Sequence, residues 1–273
     1  MKNDRNFDDL APRFQRNVYG GLKGRIRLAV LQKDMLEFYP QAISPVGDSP
    51  FNSSLCILDA GSGRGPFSLR LAELGHELTL CDLSAEMLKL ATADIVERGI
   101  EERVRLVHGA IQDLPSSNHG HYDLVLCHAV LEWVHEPREL IQHLMLQLKI
   151  GGVLSLTFYN LNGIIYKNLL RTNYIKIQQE DYSGFRGSLT PTYPRRPEDV
   201  MQWLSEQPLE ILCHSGMRVF HDYIFNLEDR AREPETVVAM ELQLSRQLPF
   251  RDLGRYQHVM GRKREEGIGV LSK

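Results

Sequence analysis

Short runs of apolar residues alternate with amphipathic stretches along most of the chain. The runs predict strands, and the stretches, whose apolar positions recur every three or four residues, predict helices. Such alternation indicates an α/β fold with a doubly wound sheet, in which ligands bind beyond the carboxyl ends of the strands. The predicted strands are one beginning at Leu55, then 77–82, 104–108, 122–128, 153–159, a long one through Val219 and Phe220, and one near 256–261. The predicted helices are 66–75, 85–99, 138–148, 197–206 and 233–247.

Two segments depart from this alternation. Residues 1–45 predict an N-terminal helical cap, which a Pro-, Ser-, Gly- and Asn-containing linker over 44–54 joins to the first strand. One face of the cap is expected to carry Ile26, Leu28, Leu31, Met35 and Leu36. Residues 160–193 are rich in Tyr, Asn, Gly and Ser and predict an inserted, partly helical lid. With 273 residues and 42% hydrophobic content, we expect one domain over 1–273.

Composition narrows the class of protein. The chain has no apolar run of 18 residues and no signal-peptide pattern, which predicts a soluble, cytoplasmic protein that does not enter a membrane. A net charge of −3 argues against bulk affinity for nucleic acid. The four cysteines lack metal-ligand spacing, so we expect reduced core residues in strands and no metal site. They are Cys56, Cys81, Cys127 and Cys213.

The glycine-rich segment after the first strand is the most informative motif. Residues 55–65 read LCILDAGSGRG, so a buried strand ends in a loop with the spacing G-x-G-x-G. Glycine lacks Cβ, which lets the backbone turn tightly and lie against a ligand. The spacing differs from the G-x-G-x-x-G of a pyrophosphate-binding dinucleotide fold. Asp59 is expected at the edge of this loop, where a carboxylate can hold the ammonium of an amino-acid-like ligand. Together with Gly61 and Gly63 it indicates S-adenosylmethionine as the cofactor.

A second acid ends the next strand. Asp82 follows an apolar run and is placed to accept hydrogen bonds from both hydroxyls of a ribose. The structural alternative is that Asp82 and Ser84 cap the helix that begins at residue 85. Because two acids now stand at neighbouring strand ends, the ribose contact is favoured.

With both acids in view, the core resembles the class I S-adenosylmethionine-dependent methyltransferases, which implies a Rossmann-like seven-stranded sheet. Nearly the whole chain, lid and C-terminal strands included, resembles the bacterial tRNA 5-carboxymethoxyuridine methyltransferases. This implies methylation of the carboxyl group of 5-carboxymethoxyuridine at the wobble position of tRNA, giving the methyl ester. The resemblance rests on RNFDD at 5–9, CHAVLEWV at 127–134, FYN at 158–160, RVFHDY at 218–223 and LGRY at 253–256.

The resemblance also implies which residues contact the cofactor. They are Arg27, Gly61, Ser62, Asp82, Ile111, Gln112 and His128. Arg27 would clamp the methionine carboxylate, whereas the residues around it alone suggest a solvated helix face. His128 is either a hydrogen-bonded structural residue or a cofactor contact. Asp113 either bonds the adenine amino group or caps the next turn, and the adenine contact is expected on the preceding backbone.

The chemistry of methyl transfer to a carboxylate limits what else the site needs. Transfer from a sulfonium is an in-line displacement that requires close alignment of the nucleophile with the methyl group. A carboxylate with a reference pKa near 4 is already ionised at neutral pH, so no general base is expected. One orienting cation is expected, with Arg218 and Arg195 as candidates, and Tyr159 is a candidate for contact with the uridine.

Local basic segments predict where tRNA docks. Arg186, Arg195 and Arg196, together with the run 262–264, form the predicted surface, although acids interrupt the first segment. The lid before Tyr193-Pro194 can be rich in lysine in relatives and has few here, which weakens the expected phosphate contacts. Three other functions are compatible with parts of the pattern: a methyltransferase acting on a small-molecule acid or quinone, a non-catalytic S-adenosylmethionine-binding module, and, least favoured by the glycine spacing, a nicotinamide-dependent oxidoreductase.

Overall fold

Seven strands form a single sheet in the order β3-β2-β1-β4-β5-β7-β6. The structure, a computed structural model, describes residue 8 and residues 21–48, 53–182 and 191–265. The strands are β1 (Cys56–Ala60), β2 (Glu77–Asp82), β3 (Val104–His108), β4 (Tyr122–His128), β5 (Leu148–Tyr159), β6 (Leu209–Met217) and β7 (Tyr256–Lys263).

Ten α-helices accompany the sheet within the described residues. They are α1 (Gly21–Phe38), α2 (Ser68–Glu73), α3 (Ala85–Arg98), α4 (Pro137–Gln147), α5 (Leu161–Leu170), α6 (Tyr174–Gln178), α7 (Pro197–Ser205), α8 (Leu227–Ala231), α9 (Pro234–Leu244) and α10 (Phe250–Leu253). None of these helices is long and apolar enough to cross a membrane.

The strand pairing confirms the predicted seven-stranded, doubly wound fold. Strands β1 to β5 pair in parallel, and β7 runs antiparallel to both of its neighbours, β5 and β6. The chain proceeds outward from β1 to β3 and then returns to the other side of β1 with β4. This reversal opens a crevice at the carboxyl ends of β1 and β4, the position at which open α/β sheets bind ligands.

Alternating residues of each strand supply the two cores. On β4, Leu124 and Leu126 point to one face of the sheet, where α1, α2 and α3 pack. Val125 and Cys127 point to the other face, which α4 and α7 cover. Because both faces are covered, the central strands are mostly apolar, and this is why they are recognisable as short apolar runs. All four cysteines lie in strands as free thiols, as predicted.

Two predicted strand boundaries are wrong. Strand β5 begins at Leu148, not at 153, because Gly151 (φ +81°) lets the strand pass through an irregularity opposite Tyr122. The strand expected through Val219 and Phe220 ends at Met217 instead. There the buried Glu241 carboxylate accepts hydrogen bonds from three successive backbone N–H groups, those of residues 219 to 221. These bonds replace a strand ladder and turn the chain.

Helix α1 differs from the predicted amphipathic face. Ile26, Leu31 and Met35 are buried as expected, but Leu36 is 62% exposed. Two charged residues of the helix, Arg27 and Asp34, are buried instead. Both belong to the site described below, so tertiary contacts override the hydrophobic pattern here. The predicted helix over 66–75 is shorter, spanning Ser68–Glu73. The lid contains α5 and α6, and residues 183–190 lie outside the described residues.

Candidate cofactor and acceptor site

A cavity of about 780 Å³ opens at the carboxyl ends of β1, β2 and β4. Its size is within the range of small-molecule sites. Seven of the nine predicted cofactor residues line it: Arg27, Gly61, Ser62, Asp82, Ile111, Gln112 and His128. The residues that the motifs and the family resemblance indicated therefore lie together, although they come from α1 and from the ends of β1, β2, β3 and β4.

The glycine loop is fixed by its backbone. The N–H groups of Gly61 and Ser62 both donate to the carbonyl oxygen of Cys81, at 2.8 and 3.1 Å, which holds the loop against β2. Gly61 has φ +73°, and a Cβ there would lie 2.4 Å from Cγ2 of Val130. Only glycine therefore fits this position without movement of Val130. Ser62 has a small side chain, and its backbone N–H makes the same contact with Cys81 as that of Gly61.

Asp82 organises the loop and lines the cavity at the same time. Its Oδ2 accepts from the N–H of Gly63 at 2.6 Å, and its Oδ1 accepts from the N–H of Ser84 at 2.8 Å. Helix α3 is capped by Ser84, whose Oγ accepts from the N–H of Met87. Burial raises the pKa of Asp82, against the opposing effect of its two backbone donors. A carboxylate offers about four lone-pair positions, so two remain for ribose hydroxyls.

Asp8 reaches the same helix terminus. Ser84 Oγ donates to Asp8 Oδ1 at 2.6 Å, and the backbone N–H of Glu86 also points to this oxygen, at 3.3 Å. Asp8 is the one residue of the segment 5–9 that the structure describes. Its charge adds to the upward shift of the Asp82 pKa. In the sequence, this segment was notable only for its resemblance to the family. In the structure, Asp8 contacts the residues that follow β2.

Asp59 does not lie where the sequence placed it. We expected its carboxylate at the loop edge, but it is 6% exposed and belongs to β1. Its Oδ2 accepts a hydrogen bond from Ser68 Oγ, and burial raises its pKa to about 7. Asp59 and Gly63 are not among the residues that line the cavity. The direct contact between Asp59 and the methionine ammonium stays a prediction, and the observed role is to hold the start of α2.

His128 is hydrogen-bonded and also faces the cavity, so its contact with the cofactor stays a prediction. It lines the cavity, and its Nε2 lies 2.9 Å from Ser155 Oγ. Ser155 Oγ is also 2.9 Å from His258 Nε2, and His258 Nδ1 is 2.7 Å from Asp34 Oδ2. Arg246 closes this chain by donating to Asp34 Oδ1 at 2.6 Å. Burial lowers the pKa of His128 well below its usual value, so the imidazole that faces the cavity is neutral.

One part of this series of hydrogen bonds, from Arg246 to His128, has the composition of a metal site. Ligand-type atoms of Asp34, Cys213 and His258 lie within 4.8 Å of one another, all buried. The Asp34 carboxylate, however, already binds Arg246 and His258. Burial also raises the pKa of the Cys213 thiol to about 12, which disfavours the thiolate that a metal requires. This group is better described as a hydrogen-bonded support for His128.

Arg27 links the cavity to the acceptor side. The residue is buried, and its guanidinium lies over the ring of Tyr256, 4.2 Å from the centroid. The interpretation as a solvated helix face is therefore wrong. Tyr256 also contacts Tyr159, with ring centroids 4.8 Å apart, and carries the Arg218 guanidinium at 5.4 Å. Tyr159 and Arg218, two of the three residues predicted to position the acceptor, therefore contact the same Tyr256 ring as Arg27, which lines the cavity.

Arg218 and Arg255 share a buried carboxylate. Arg218 Nη2 lies 3.3 Å from Asp222 Oδ2, and Arg255 Nε lies 3.9 Å from the same oxygen. Burial alone would raise the pKa of Asp222, but Arg218, His221 and Arg255 outweigh it and hold the pKa far below its usual value. Arg255 also stacks on Tyr159, 4.7 Å from the centroid. Arg218 Nε is buried without a hydrogen-bond partner among the described residues.

Arg195 is occupied elsewhere. Its Nε donates to the carbonyl oxygen of Leu131 at 3.0 Å, and its Nη2 donates to that of Val134 at 2.6 Å. These bonds tie the segment after β4 to the end of β5, where Arg195 bridges Asn160. A guanidinium committed to two backbone carbonyls is a poor orienting cation for a substrate. Arg195 is therefore a structural residue of the acceptor side.

The predicted docking surface is divided between opposite ends of the sheet. Arg195 lies beside the end of β5, whereas Arg262 pairs with Val153 near its beginning. The six-residue offset between Val153 and Tyr159 corresponds to about 20 Å along the strand. Lys263 is further held by the carbonyl oxygens of Met145 and Leu148. These residues do not form one surface, and Arg186 lies outside the described residues.

Comparisons with known proteins agree with this geometry. A family model described as "Methyltransferase domain" matches residues 58–156. The tRNA 5-carboxymethoxyuridine methyltransferase of Escherichia coli K12 is 40% identical over 260 residues, 95% of this chain and 97% of that protein. A ubiquinone biosynthesis O-methyltransferase of Xanthomonas axonopodis pv. citri is 32% identical over 70% of this chain and 74% of that protein. Magnesium protoporphyrin IX methyltransferase from Synechocystis PCC 6803, solved with bound SAH, shares the fold at a TM-score of 0.60 and 17% identity, covering 94% of this chain and 96% of that one.

Proposed function

This chain belongs to the family of the tRNA 5-carboxymethoxyuridine methyltransferases, and we propose that it transfers a methyl group to the carboxylate of 5-carboxymethoxyuridine at the wobble position of tRNA. The observation that carries this function is the 40% identity over 95% of the chain. It extends across the cofactor cavity and the acceptor side alike. The ubiquinone-pathway relative covers only 70% of the chain.

S-adenosylmethionine is the cofactor, and the cavity fits it. When bound, it supplies an electrophilic methyl group on a sulfonium. Gly61 lines the cavity without a side chain, and Asp82 lines it with a carboxylate whose two hydrogen bonds leave lone pairs for a ribose. Arg27 is one of four arginines that line the cavity, and it is the one we propose to hold the methionine carboxylate. The residues of the site therefore fit two parts of this molecule that need polar recognition, the ribose and the methionine carboxylate.

On the acceptor side, we infer that the described residues orient the substrate, because the buried carboxyls nearby are not placed to act as a base. Two carboxyls near the cavity, Asp59 and Glu132, have pKa values raised by burial to about 7. Both are buried, and neither is among the residues that line the cavity. A carboxylate acceptor needs no deprotonation, because its usual pKa is near 4. The arrangement thus suits an acid substrate better than a phenol or a hydroxyl.

Arg218 is the residue we propose to orient the acceptor carboxylate. Its guanidinium lies against the ring of Tyr256, which also contacts the ring of Tyr159. Its Nε is buried and has no hydrogen-bond partner among the described residues. Arg218 is already paired with Asp222, and this ion pair weakens its attraction to a second carboxylate. This matters because the acceptor loses its charge as the ester forms, and a tighter grip would stabilise the ground state more than the transition state.

The decisive experiment uses two pools of tRNA. The protein and methyl-labelled S-adenosylmethionine are incubated with tRNA from cells that make 5-carboxymethoxyuridine and with tRNA from cells that lack it. Label should enter only the first pool, and mild alkali should release it because the product is an ester. Equal labelling of both pools, or label that resists alkali, would exclude this substrate. Label that enters an added small-molecule acid or quinone instead would favour the alternative acceptor.

A further inference from the structure

A cluster of cations lies beside the acceptor residues and is not explained by cofactor binding. It consists of Lys23 of α1, Lys167 of α5, Arg171 after α5, and the pair Arg218 and Arg255. Lys23 interacts electrostatically with Asp222, Arg218, Arg230 and Arg255. Lys167 interacts in the same way with Arg255, Asp222, Arg171 and Lys23. We call these five residues the cationic cluster. One buried carboxylate, Asp222, stands at its centre.

Among the described residues, neither lysine has a directly bonded partner, although Asp222 attracts both. Arg218 and Arg255 contact Asp222, but the side chains of Lys23, Lys167 and Arg171 form no hydrogen bond or ion pair with another described residue. Burial, followed by the charge of Arg255, lowers the pKa of Lys167 to about 8. Burial and neighbouring arginines also lower the pKa of Lys23. Like charges held together at a partly buried place favour the binding of an anion.

The surroundings of the cluster are suited to a nucleic acid. Lys167, Arg171, Asp222 and Arg230 line a shallow pocket together with Tyr223 and Phe225. Phe225 is 63% exposed, and Tyr174 of the adjoining helix α6 is 55% exposed. Exposed rings beside a groove of cations are the combination that binds single-stranded nucleic acid, because the cations hold phosphates and the rings stack on bases.

We propose that the cationic cluster binds backbone phosphates of the single-stranded anticodon loop beside the modified uridine. The inference rests on the proposed function, since it presumes that tRNA is the substrate. Contacts to phosphates position a nucleic acid without reading its sequence. The cluster is continuous with the acceptor site, because Arg218 belongs to both and shares the Tyr256 ring with Arg27. Phosphates held here would place the neighbouring nucleotide at the mouth of the cavity.

The competing surface is the basic run 262–264. Its residues lie about 20 Å away along the sheet, at the end opposite to the cavity. Arg264 is paired with Glu210 at 3.3 Å. An anticodon loop docked there would leave its wobble nucleotide far from the cavity. The two surfaces can therefore be compared directly.

The test measures tRNA affinity as a function of salt. Lys23→Gln and Lys167→Gln are combined in one protein, with Lys89→Gln, an exposed lysine of α3, as the matched control. Fluorescence anisotropy with labelled substrate tRNA and S-adenosylhomocysteine present gives the dissociation constant over a series of KCl concentrations. The double variant should bind about tenfold more weakly at low salt. The slope of log K against log salt should be shallower by about 1.4, or about 0.7 for each phosphate that the variant no longer neutralises.

Two results would overturn the inference. One is a double variant that keeps the affinity and salt slope of the wild type. The other is a loss of affinity in the combination of Arg262→Gln with Arg264→Gln and not in the lysine variant. Affinity for S-adenosylhomocysteine, measured by calorimetry, should be unchanged in every variant and reports that the site is folded. Failure of the proposed function looks different, because the wild type itself would then not label tRNA that carries 5-carboxymethoxyuridine.

Discussion

The cofactor cavity and the cationic cluster are adjacent, yet they are built in different ways. The cavity is shaped by backbone: Gly61 and Ser62 donate to Cys81, and Asp82 is held by two N–H groups. The cluster is made of long side chains from α1, α5 and the segments around β6 and β7, gathered around Asp222. A backbone site is rigid and specific for one molecule, whereas a cluster of flexible cations adapts to a polymer of phosphates.

The comparison also concerns stability. In the cavity, the loop amides and the Asp82 carboxylate have partners that stabilise them. In the cluster, burial and then the charges of neighbouring arginines lower the pKa values of Lys23 and Lys167, while Asp222 opposes these shifts. Such sites are often maintained for function at the expense of stability. We therefore expect substitutions in the two regions to separate cofactor binding, turnover and stability.

The largest effect is expected for Asp82→Ala. The variant loses the acceptor that we propose for the ribose hydroxyls and the partner of the Gly63 N–H. Binding of S-adenosylhomocysteine should weaken by about 1.5–3 kcal/mol, the scale of hydrogen bonds to a charged group. Isothermal calorimetry measures this, with the exposed Asp48→Ala as the control. Unchanged affinity in a folded Asp82→Ala protein would remove the ribose assignment.

Arg218→Gln should affect turnover and spare the cofactor. If Arg218 orients the acceptor carboxylate, kcat/KM for substrate tRNA should fall about 10–100-fold, because a charge-assisted hydrogen bond is replaced by a neutral one. The affinity for S-adenosylhomocysteine should stay the same. Arg218→Lys should recover only part of the activity, since lysine cannot reproduce the planar fork of arginine. An equal loss of cofactor affinity would show that the two regions are not separable.

Ser155→Ala tests the support behind His128. The substitution leaves the Nε2 atoms of His128 and His258 facing each other without the shared hydroxyl. Loss of a buried hydrogen bond of this kind should lower the free energy of unfolding by about 1–2 kcal/mol. Urea denaturation gives this value, and Ser205→Ala at an exposed position of α7 serves as the control. If both variants are equally stable, the hydrogen bonds that join Asp34 to His128 through His258 and Ser155 do not contribute to stability.

The smallest effect is expected for Lys167→Gln, and its sign depends on pH. The pKa of Lys167 is about 8 in the folded protein, below its unfolded value near 10.4. Between these values the unfolded state binds more protons, so the wild type gains stability relative to the variant as pH rises. At pH 7 the lysine is charged in both states, and the variant should be more stable by less than about 1 kcal/mol.

The measurement is the melting temperature of both proteins from about pH 7 to about pH 10.5, a range that includes the window between the two pKa values, about 8 and about 10.4. The groups that act on Lys167 are Arg255, Asp222, Arg171 and Lys23, of which only Lys23 is another lysine. Lys23→Gln examined in parallel separates its contribution. A difference in melting temperature that does not change with pH would contradict the shifted pKa and the unneutralised charge.

Residues that act through their own neighbours in the sequence were predictable. The G-x-G-x-G spacing identified a loop in which Gly61 has no room for a side chain, and the apolar run before Asp82 placed that acid at a strand end. Strand β4 and its terminal His128 were located to the residue. These features depend on local backbone geometry and on alternation between buried faces, and both are written in short windows of sequence.

Residues that act through distant partners could not be assigned from their own neighbours in the sequence. Arg195 looked like a free cation until its bonds to Leu131 and Val134 were visible. The neighbours of Arg27 suggested a solvated helix face, and only the family resemblance predicted its place at the cavity, where the ring of Tyr256, near the other end of the chain, covers it. Lys23 and Lys167 carried no signal, because a lone lysine on a helix is ordinary and gains its meaning only from what packs beside it.

The sequence by itself therefore determined the fold class, the cofactor loop and the family, because strand periodicity, glycine geometry and extended similarity are properties of contiguous residues. Only the tertiary structure decided which of the described cations are free, where they gather and which end of the sheet they occupy. The physical reason is the range of the forces involved. Backbone conformation is set within a few residues, whereas electrostatic and stacking contacts join side chains wherever the chain brings them together.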